Sequence, residues 1–586
     1  MTNDGSDRHF SQVGMLLKLW SLLSPRRRWQ LGILLILMVL GSLAEVMSIG
    51  AVFPLLAVLT TPSAVFDQPF AKDVLPVLGI QAPHQLLIPA ISAFAVATIL
   101  AAGVRLFVLY VTSRFSQAVG ADLSAELYRR TLYRSYAYHL DSNSSELVAA
   151  ITGKVAILMA GVLLPVLNVV SIGLMIGSVV GALLVIDPVL VVVGTSLVMS
   201  VYFLLHVWAR RGLDRNAKII SAKTTDVVRI LHEGLGGIRD VIIDGTQEAY
   251  ARIFQEADRP LRSAHARNYF IAASPRFVVE AVGMIAIAGY AYYASQRPGG
   301  LEGAIPTLAA LALGAQRLLP MIQLGYSSLA SIRGARTSVQ DVLDLLGQSV
   351  PPRHTAIPQD MPFEVAIELR NIVFGYRPDV PVLKGVNLRL EKGRRYGFIG
   401  TTGSGKSTLL DVLMGLLDPI SGSFEVDGRP IDETTRRAWQ RRLAHVPQSI
   451  FLSDATIAEN IAFGVSRSEI DHLRVKAAAA QAQIAEMVEA LPLGYNTSVG
   501  ERGGRLSGGQ RQRIGIARAL YKQVDVLILD EATSALDSNT EASVMESIRG
   551  LRGGPTVLLV AHRLSTLEGC DEIFEIKGGE VKAIGK

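Results

Sequence analysis

A chain of 586 residues is long enough for more than one domain, and half of its residues are hydrophobic at a mean hydropathy of +0.35, which excludes an ordinary soluble protein and implies a membrane portion. The net charge of +6, from 57 Lys and Arg against 51 Asp and Glu, does not mark a nucleic-acid binder, because the basic residues cluster beside apolar runs as cytoplasmic flanks of membrane helices do. One cysteine, Cys570, excludes an internal disulfide and reads as an inert thiol.

In chain order, the amino terminus shows no tripartite signal peptide, so it is expected to stay inside. Residues 13–23 form a short amphipathic stretch, and Pro25 with Arg26, Arg27 and Arg28 follow; this suits a helix on the cytoplasmic membrane surface. Six apolar runs come next, at 31–60, 86–111, 155–186, 188–209, 268–295 and 303–330, each able to cross a hydrocarbon layer of about 30 Å. Asp187 and Pro188 alone separate the third and fourth runs, which predicts a tight outer hairpin. The long polar stretches after the second and fourth runs carry Arg129, Arg130, Arg134, Arg210, Arg211 and Lys218, and these place them inside. The predicted architecture is an all-α six-helix transmembrane domain (1–347), a proline-rich linker (348–362) and an α/β domain (363–586).

Ionisable residues inside the runs are costly and usually face protein or a water-filled cavity. Glu45 lies in the first run, Arg105 in the second, Arg276 and Glu280 in the first turns of the fifth, and Arg317 in the sixth. An arginine cluster suits phosphate, because the guanidinium fork makes paired charge-assisted bonds. Arg276 and Glu280 are four residues apart and can equally satisfy each other, and Arg105 can reach the interface by snorkelling. Arg317 sits about fifteen residues, or ~20 Å of helix, from either end of its run.

In the C-terminal part, GTTGSGKST at 400–408 follows the apolar run 396–399 and fits the phosphate-binding pattern GxxxxGK[ST]. The spacing places Gly400, Thr401, Thr402, Gly403, Ser404 and Gly405 around phosphate oxygens, Lys406 on the terminal phosphates, Ser407 on Mg²⁺, and Thr408 in the helix that follows. VLILD at 526–530 ends in Asp530, suited to Mg²⁺, and Glu531 follows. LSGGQ (506–510), Gln448 in VPQ, Asp537 in SALD and His562 in VAHR complete an ordered set.

This set resembles the ATP-binding cassette of the ABC transporter superfamily, over about the last two-fifths of the chain, and the six-run part is similar to the exporter type. The resemblance implies two cassettes binding two ATP molecules between them, with the loop of one facing Ser507, Gly508, Gly509 and Gln510 of the other. It further implies that Tyr376 stacks on adenine, a core tyrosine being the alternative. Ser407, Gln448 and Asp530 serve Mg²⁺, Glu531 is the general base, and His562 holds the γ-phosphate. Asp537 joins the nucleotide site, and coupling helices fall near 141–149 and 236–246. One copy of each motif implies that two chains are needed, and the intact set favours a homodimer over an asymmetric pair.

EVMSIGAVFP at 45–54, Ser274-Pro275-Arg276 and RLLP at 317–320 resemble bacterial lipid-linked oligosaccharide flippases of the PglK type. That likeness maps the pyrophosphate of the lipid carrier onto Arg105, Arg276 and Arg317, and gives the outer loop at 61–85 an external helix at 65–78. It implies an ATP-driven flippase of the bacterial inner membrane, with amino terminus and cassette in the cytoplasm and membrane lipids as neighbours. An exporter of another lipid, a peptide or a drug is the alternative; an ATP-gated channel is less favoured.

Overall fold

The computed structural model describes residues 12–60, 62–66, 82–184, 188–296, 300–348, 361–377, 379–532, 536–550, 554–561 and 567–585. Contacts divide the chain into two compact units, 1–134 with 141–351, and 352–586 with the short segment 135–140.

The described part of the first unit is helical. After the helix Gln12–Leu22 come α1 (Pro25–Gly50), α2 (Leu87–Leu132), α3 (Leu164–Leu184), α4 (Pro188–Gly236), α5 (Pro275–Ser295), α6 (Gly300–Gly334) and α7 (Arg336–Gly347). Among the described residues, four helical stretches are long and apolar enough to cross a membrane: Pro25–Ser48, Leu87–Leu132, Ser144–Gly181 and Gln247–Tyr293. The other two predicted runs fall in α4 and α6, whose apolar parts include side chains outside the described set.

Two departures from the predicted runs have local causes. The first run is broken, with α1 ending at Gly50 and a separate helix over Val52–Thr60. Pro54 explains the break, since it has no N–H for the Gly50 carbonyl and its ring crowds that oxygen. The second run continues well past 111 to make α2 46 residues long, and α4 has 49. At 1.5 Å per residue each is about 70 Å, more than twice the hydrocarbon thickness, so much of each helix must lie beyond the membrane. The predicted external helix at 65–78 lies mostly outside the described residues; its described neighbour is Pro62–Phe66. Short helices lie at Tyr136–Asp141, Ser144–Val148 and Ile238–Ile243, the last two within the stretches 141–149 and 236–246.

Leu34, Met38, Leu158, Val162, Val339 and Val342 form the centre of the first unit's largest core, joining α1, the run leading into α3, and α7. Polar contacts fasten α7 as well. Arg130 and Arg134, at the end of α2, donate to the Leu346 and Leu345 carbonyls, which satisfies acceptors that the last helical turn leaves open. Lys154 Nζ lies 2.6 Å from Asp341 Oδ2, and Ser221 Oγ donates to the same oxygen. Lys154 closes one of two π-helical segments, Ala149–Lys154 and Met159–Leu163, in the helical run before α3.

The second unit contains two sheets. Strands β1 (Ala366–Phe374), β2 (Leu383–Glu391), β4 (Ser421–Val426) and β5 (Arg429–Pro430) make an antiparallel sheet in the order β2-β1-β4-β5. The other sheet runs β10-β9-β3-β8-β7-β6, from β3 (Arg395–Ile399), β6 (Leu443–Val446), β7 (Val526–Asp530), β8 (Thr556–Val560), β9 (Glu572–Lys577) and β10 (Glu580–Gly585). Its pairs are parallel except β10 with β9. The sheet is buried on both faces, as a parallel sheet requires: Val526 and Ile528 enter one core, Leu527 and Leu529 the other. The apolar run 526–529 therefore reads as a central strand, and its carboxyl end carries the acids to the rim of the sheet.

Candidate ATP site

The loop at 400–405 joins β3 to helix α8 (Lys406–Leu413). Glycine is required at two points. A Cβ on Gly400 would lie 2.4 Å from the Ile576 carbonyl oxygen, and Gly405, which begins the helix, has φ +106°. Lys406 Nζ donates back to the carbonyls of Gly400 and Thr401 at 2.8 and 3.0 Å, which folds the ammonium over the loop. Ser404 Oγ is buried with no hydrogen-bond partner among the described residues. A helix N-terminus, a held ammonium and an orphaned hydroxyl together fit a polyphosphate.

Tyr376 projects from the end of β1, 56% exposed, with its ring edge-on to Phe374 and its hydroxyl 3.3 Å from Thr408 Oγ1. The exposed ring beside the loop helix suits base stacking rather than core packing. Ser407 is exposed on the first turn of α8. Glu531 has φ +50°, a left-handed conformation that costs a non-glycine residue energy and often marks a functional position. Its N–H donates to the Val560 carbonyl at 3.0 Å, and its Oε2 accepts from Gln448 Nε2 at 2.7 Å. Gln448, Asp530 and Glu531 are thus brought together at the ends of neighbouring strands. His562 lies outside the described residues.

Ser507 caps helix α9 (Gly508–Tyr521) reciprocally: its Oγ accepts from the Gln510 N–H and its own N–H donates to Gln510 Oε1. Asp537 caps α10 (Ser538–Arg549) through the Thr540 N–H, which holds its carboxyl below the usual range. A cavity of about 470 Å³ is lined by Ser507, Gly508, Gly509, Arg513, Asp537 and Thr540, among others, and by no residue of the loop 400–408. Asp537 thereby joins Ser507, Gly508 and Gly509 of LSGGQ, the signature segment, at one cavity.

Sequence reasoning missed Asp411, on α8. Burial, and then the neighbouring Asp530 charge, push its carboxyl up to about 6. The sequence signal was an acid four positions after Ser407 in an otherwise apolar turn. An acid whose folded pKa is raised stabilises least above that pKa: the unfolded carboxyl ionises near 4, so stability falls as pH rises from about 4 to 6 and stays lower beyond. Asp411→Asn is therefore expected to stabilise the nucleotide-free protein at pH 8 by on the order of 1 kcal/mol, read as a higher melting midpoint, and to leave the midpoint nearly unchanged at pH 4. Equal effects at both pH values would remove Asp411 from this account.

In the first unit, Arg105 Nη1 lies 2.9 Å from Glu45 Oε2, with the Glu45 side chain fully buried and that of Arg105 38% exposed. Arg276 Nε pairs with Glu280 Oε1 at 2.6 Å, the mutual satisfaction that their spacing allows. The Arg317 side chain lies outside the described residues.

Residues 383–534 match the ABC transporter family, and 31–300 match the ABC transporter transmembrane region. The chain is 30% identical over 497 residues to the "ATP-dependent lipid A-core flippase" of Cupriavidus metallidurans, covering 81% of this chain and 80% of that one. It is 44% identical over 219 residues to the protein of that name from Saccharophagus degradans, a match spanning only 37% of either protein. It is 38% identical over 259 residues to "Multidrug resistance protein pgp-1" of Caenorhabditis elegans, over 44% of this chain and 19% of that protein. Among solved structures, a bacterial Atm1-family ABC exporter with ATP bound covers 94% of each chain at TM-score 0.78 and 23% identity, a likeness of fold.

Proposed function

This chain belongs to the ABC transporter family, as a half-transporter of exporter type, and we propose that it acts as a homodimer that flips a lipid-linked oligosaccharide, carried on polyprenyl pyrophosphate, to the outer leaflet of the bacterial inner membrane. Its cassette is an ATPase domain whose hydrolysis is coupled to transport. The signature cavity carries the homodimer reading: Ser507, Gly508 and Gly509 line it without any phosphate-loop residue, so a second copy would supply the missing half.

In that assembly the backbone around Gly400–Gly405 and Lys406 hold the phosphates, and Tyr376 stacks on the base. Ser407, Gln448 and Asp530 would hold Mg²⁺, which supplies neutralisation of phosphate charge. Glu531, oriented by Gln448, takes the proton of the attacking water, and His562 grips the γ-phosphate from its side of the site. The short helices at Ser144–Val148 and Ile238–Ile243 would carry the cassette's motion into the membrane helices.

For the cargo, one observation leads: Arg105 borders a cavity of about 180 Å³ within the membrane unit, held in place by a buried carboxylate 2.9 Å away. With Arg276 and Arg317 it forms the set proposed to receive pyrophosphate. Relatives named for lipid A-core flipping favour a lipid, whereas the multidrug-resistance relative keeps a drug or peptide exporter as the second reading.

The test follows a fluorescent glycan on polyprenyl pyrophosphate in sealed proteoliposomes. Movement is expected only with ATP. Arg317→Ala and Arg105→Ala are each expected to reduce flipping at least tenfold, as loss of a charge-assisted phosphate contact implies, while basal hydrolysis continues. Robust hydrolysis by the wild-type chain without movement of this lipid would transfer the assignment to another lipid, a peptide or a drug.

A further inference from the structure

Two cavities in the membrane unit meet. The smaller, with Arg105 on its wall, lies between α1, α2, α3 and α6; the larger, of about 540 Å³, opens beside it, and Asn168 and Leu324 line both. Their chemistry differs. Arg105 gives the smaller one a cation, whereas no Asp, Glu, Lys or Arg is among the residues lining the larger one.

The larger cavity instead presents amides, hydroxyls, an imidazole and a ring, from Asn168, His265, Asn268, Tyr269, Gln323 and Ser327. Two of the amides are fixed in advance. Gln323 donates to the Ala272 carbonyl at 2.7 Å and accepts from Tyr202 Oη at 3.0 Å, while Asn268 Oδ1 accepts from the buried Asn216 Nδ2 at 2.8 Å. Amides held this way keep their orientation without a ligand, so little ordering cost remains for binding. Gly334 leaves the room that Asn268 needs, since a Cβ there would sit 2.7 Å from Asn268 Nδ2. Oriented donors and acceptors set in an uncharged, largely apolar wall, with an aromatic ring, match a sugar, whose ring faces are apolar and whose hydroxyls are neutral, better than an ion.

We propose that the larger cavity is a sugar subsite, taking the neutral sugar residues closest to the anionic group that Arg105 receives, with Asn168 contacting both parts. Asn268 opens the fifth apolar run, which on the predicted topology places the subsite where a headgroup enters from the inner leaflet. The inference rests on the reading of the cargo as a pyrophosphate-linked glycan, and the experiment separates the two.

Binding to the full-length dimer in lipid nanodiscs is measured for three probes: bare polyprenyl pyrophosphate, the same lipid bearing one N-acetylhexosamine, and a neutral long-chain alkyl glycoside of that sugar. The wild type is expected to bind the glycosylated pyrophosphate about tenfold tighter than the bare one, the size of one or two well-placed hydrogen bonds. Gln323→Ala and Ser327→Ala should erase that preference and spare the bare lipid, whereas Arg105→Ala should weaken both pyrophosphate lipids alike. Melting midpoints identify any variant that has lost its fold, and Ser327→Ala serves where Gln323→Ala has. Equal binding of bare and glycosylated lipid by the wild type, or a preference untouched by both variants, overturns the subsite. Gln323-dependent binding of the alkyl glycoside without binding of either pyrophosphate lipid keeps the subsite and rejects the pyrophosphate. No binding of any probe rejects both.

Discussion

Glu531→Gln is expected to bind ATP normally and to hydrolyse it about 10²- to 10⁴-fold more slowly, the usual contribution of a positioned general base. The geometry makes this substitution a clean one. Glu531 is held from two sides, by its own N–H on the Val560 carbonyl and by Gln448 Nε2 on its carboxylate at 2.7 Å. A glutamine keeps the backbone bond, and its amide oxygen can still accept from Gln448, so shape and contacts persist while the proton acceptor is lost. The phosphate loop lies elsewhere in the sheet's rim, at the end of β3, and is untouched. ATP binding measured alongside phosphate release separates the outcomes: lost binding would point to a disturbed fold, and undiminished hydrolysis would refute Glu531 as the base. Flipping in proteoliposomes should fall with hydrolysis, because a coupled ligand acts only through the states it favours.

The site's local parts were legible because each is contained in a few consecutive residues. Gly400 to Ser407 carry the loop's chemistry in their spacing, and the unbroken apolar run of 526–529 reports a strand buried on both faces. Arg276 and Glu280 were legible as partners for the same reason, one helical turn apart. Contacts between distant segments were not. Arg105 finds Glu45 across sixty residues, and nothing local in either run states that the two helices pair at that level. Asp411 looked like an incidental acid on a helix; its raised carboxyl depends on burial and on Asp530, over a hundred positions away. The break after α1 was readable in principle from Pro54, but an unbroken apolar run hides it from a length criterion.

The largest effect on stability is expected where such a distant contact buries charge. Lys154 is only 6% exposed in its side chain and meets Asp341 at 2.6 Å, while Asp341 is 34% exposed and also accepts from Ser221. The two partners therefore have unequal alternatives. Removing the carboxylate leaves an ammonium with little access to water, whereas removing the ammonium leaves a carboxylate that keeps a hydroxyl donor and reaches solvent. Asp341→Ala should cost about 3 kcal/mol, near the lower end for a broken buried pair, and Lys154→Met less than about 1 kcal/mol. The double variant should resemble Lys154→Met, because the stranded ammonium that makes Asp341→Ala costly is then absent. Melting midpoints of the full-length protein in nanodiscs test this, with a drop of several degrees expected for Asp341→Ala alone. Equal losses in the two single variants, or additive losses in the double, would sink it. The pair joins the run leading into α3 to the middle of α7, and Arg130 and Arg134 grip the same helix at its carboxyl end.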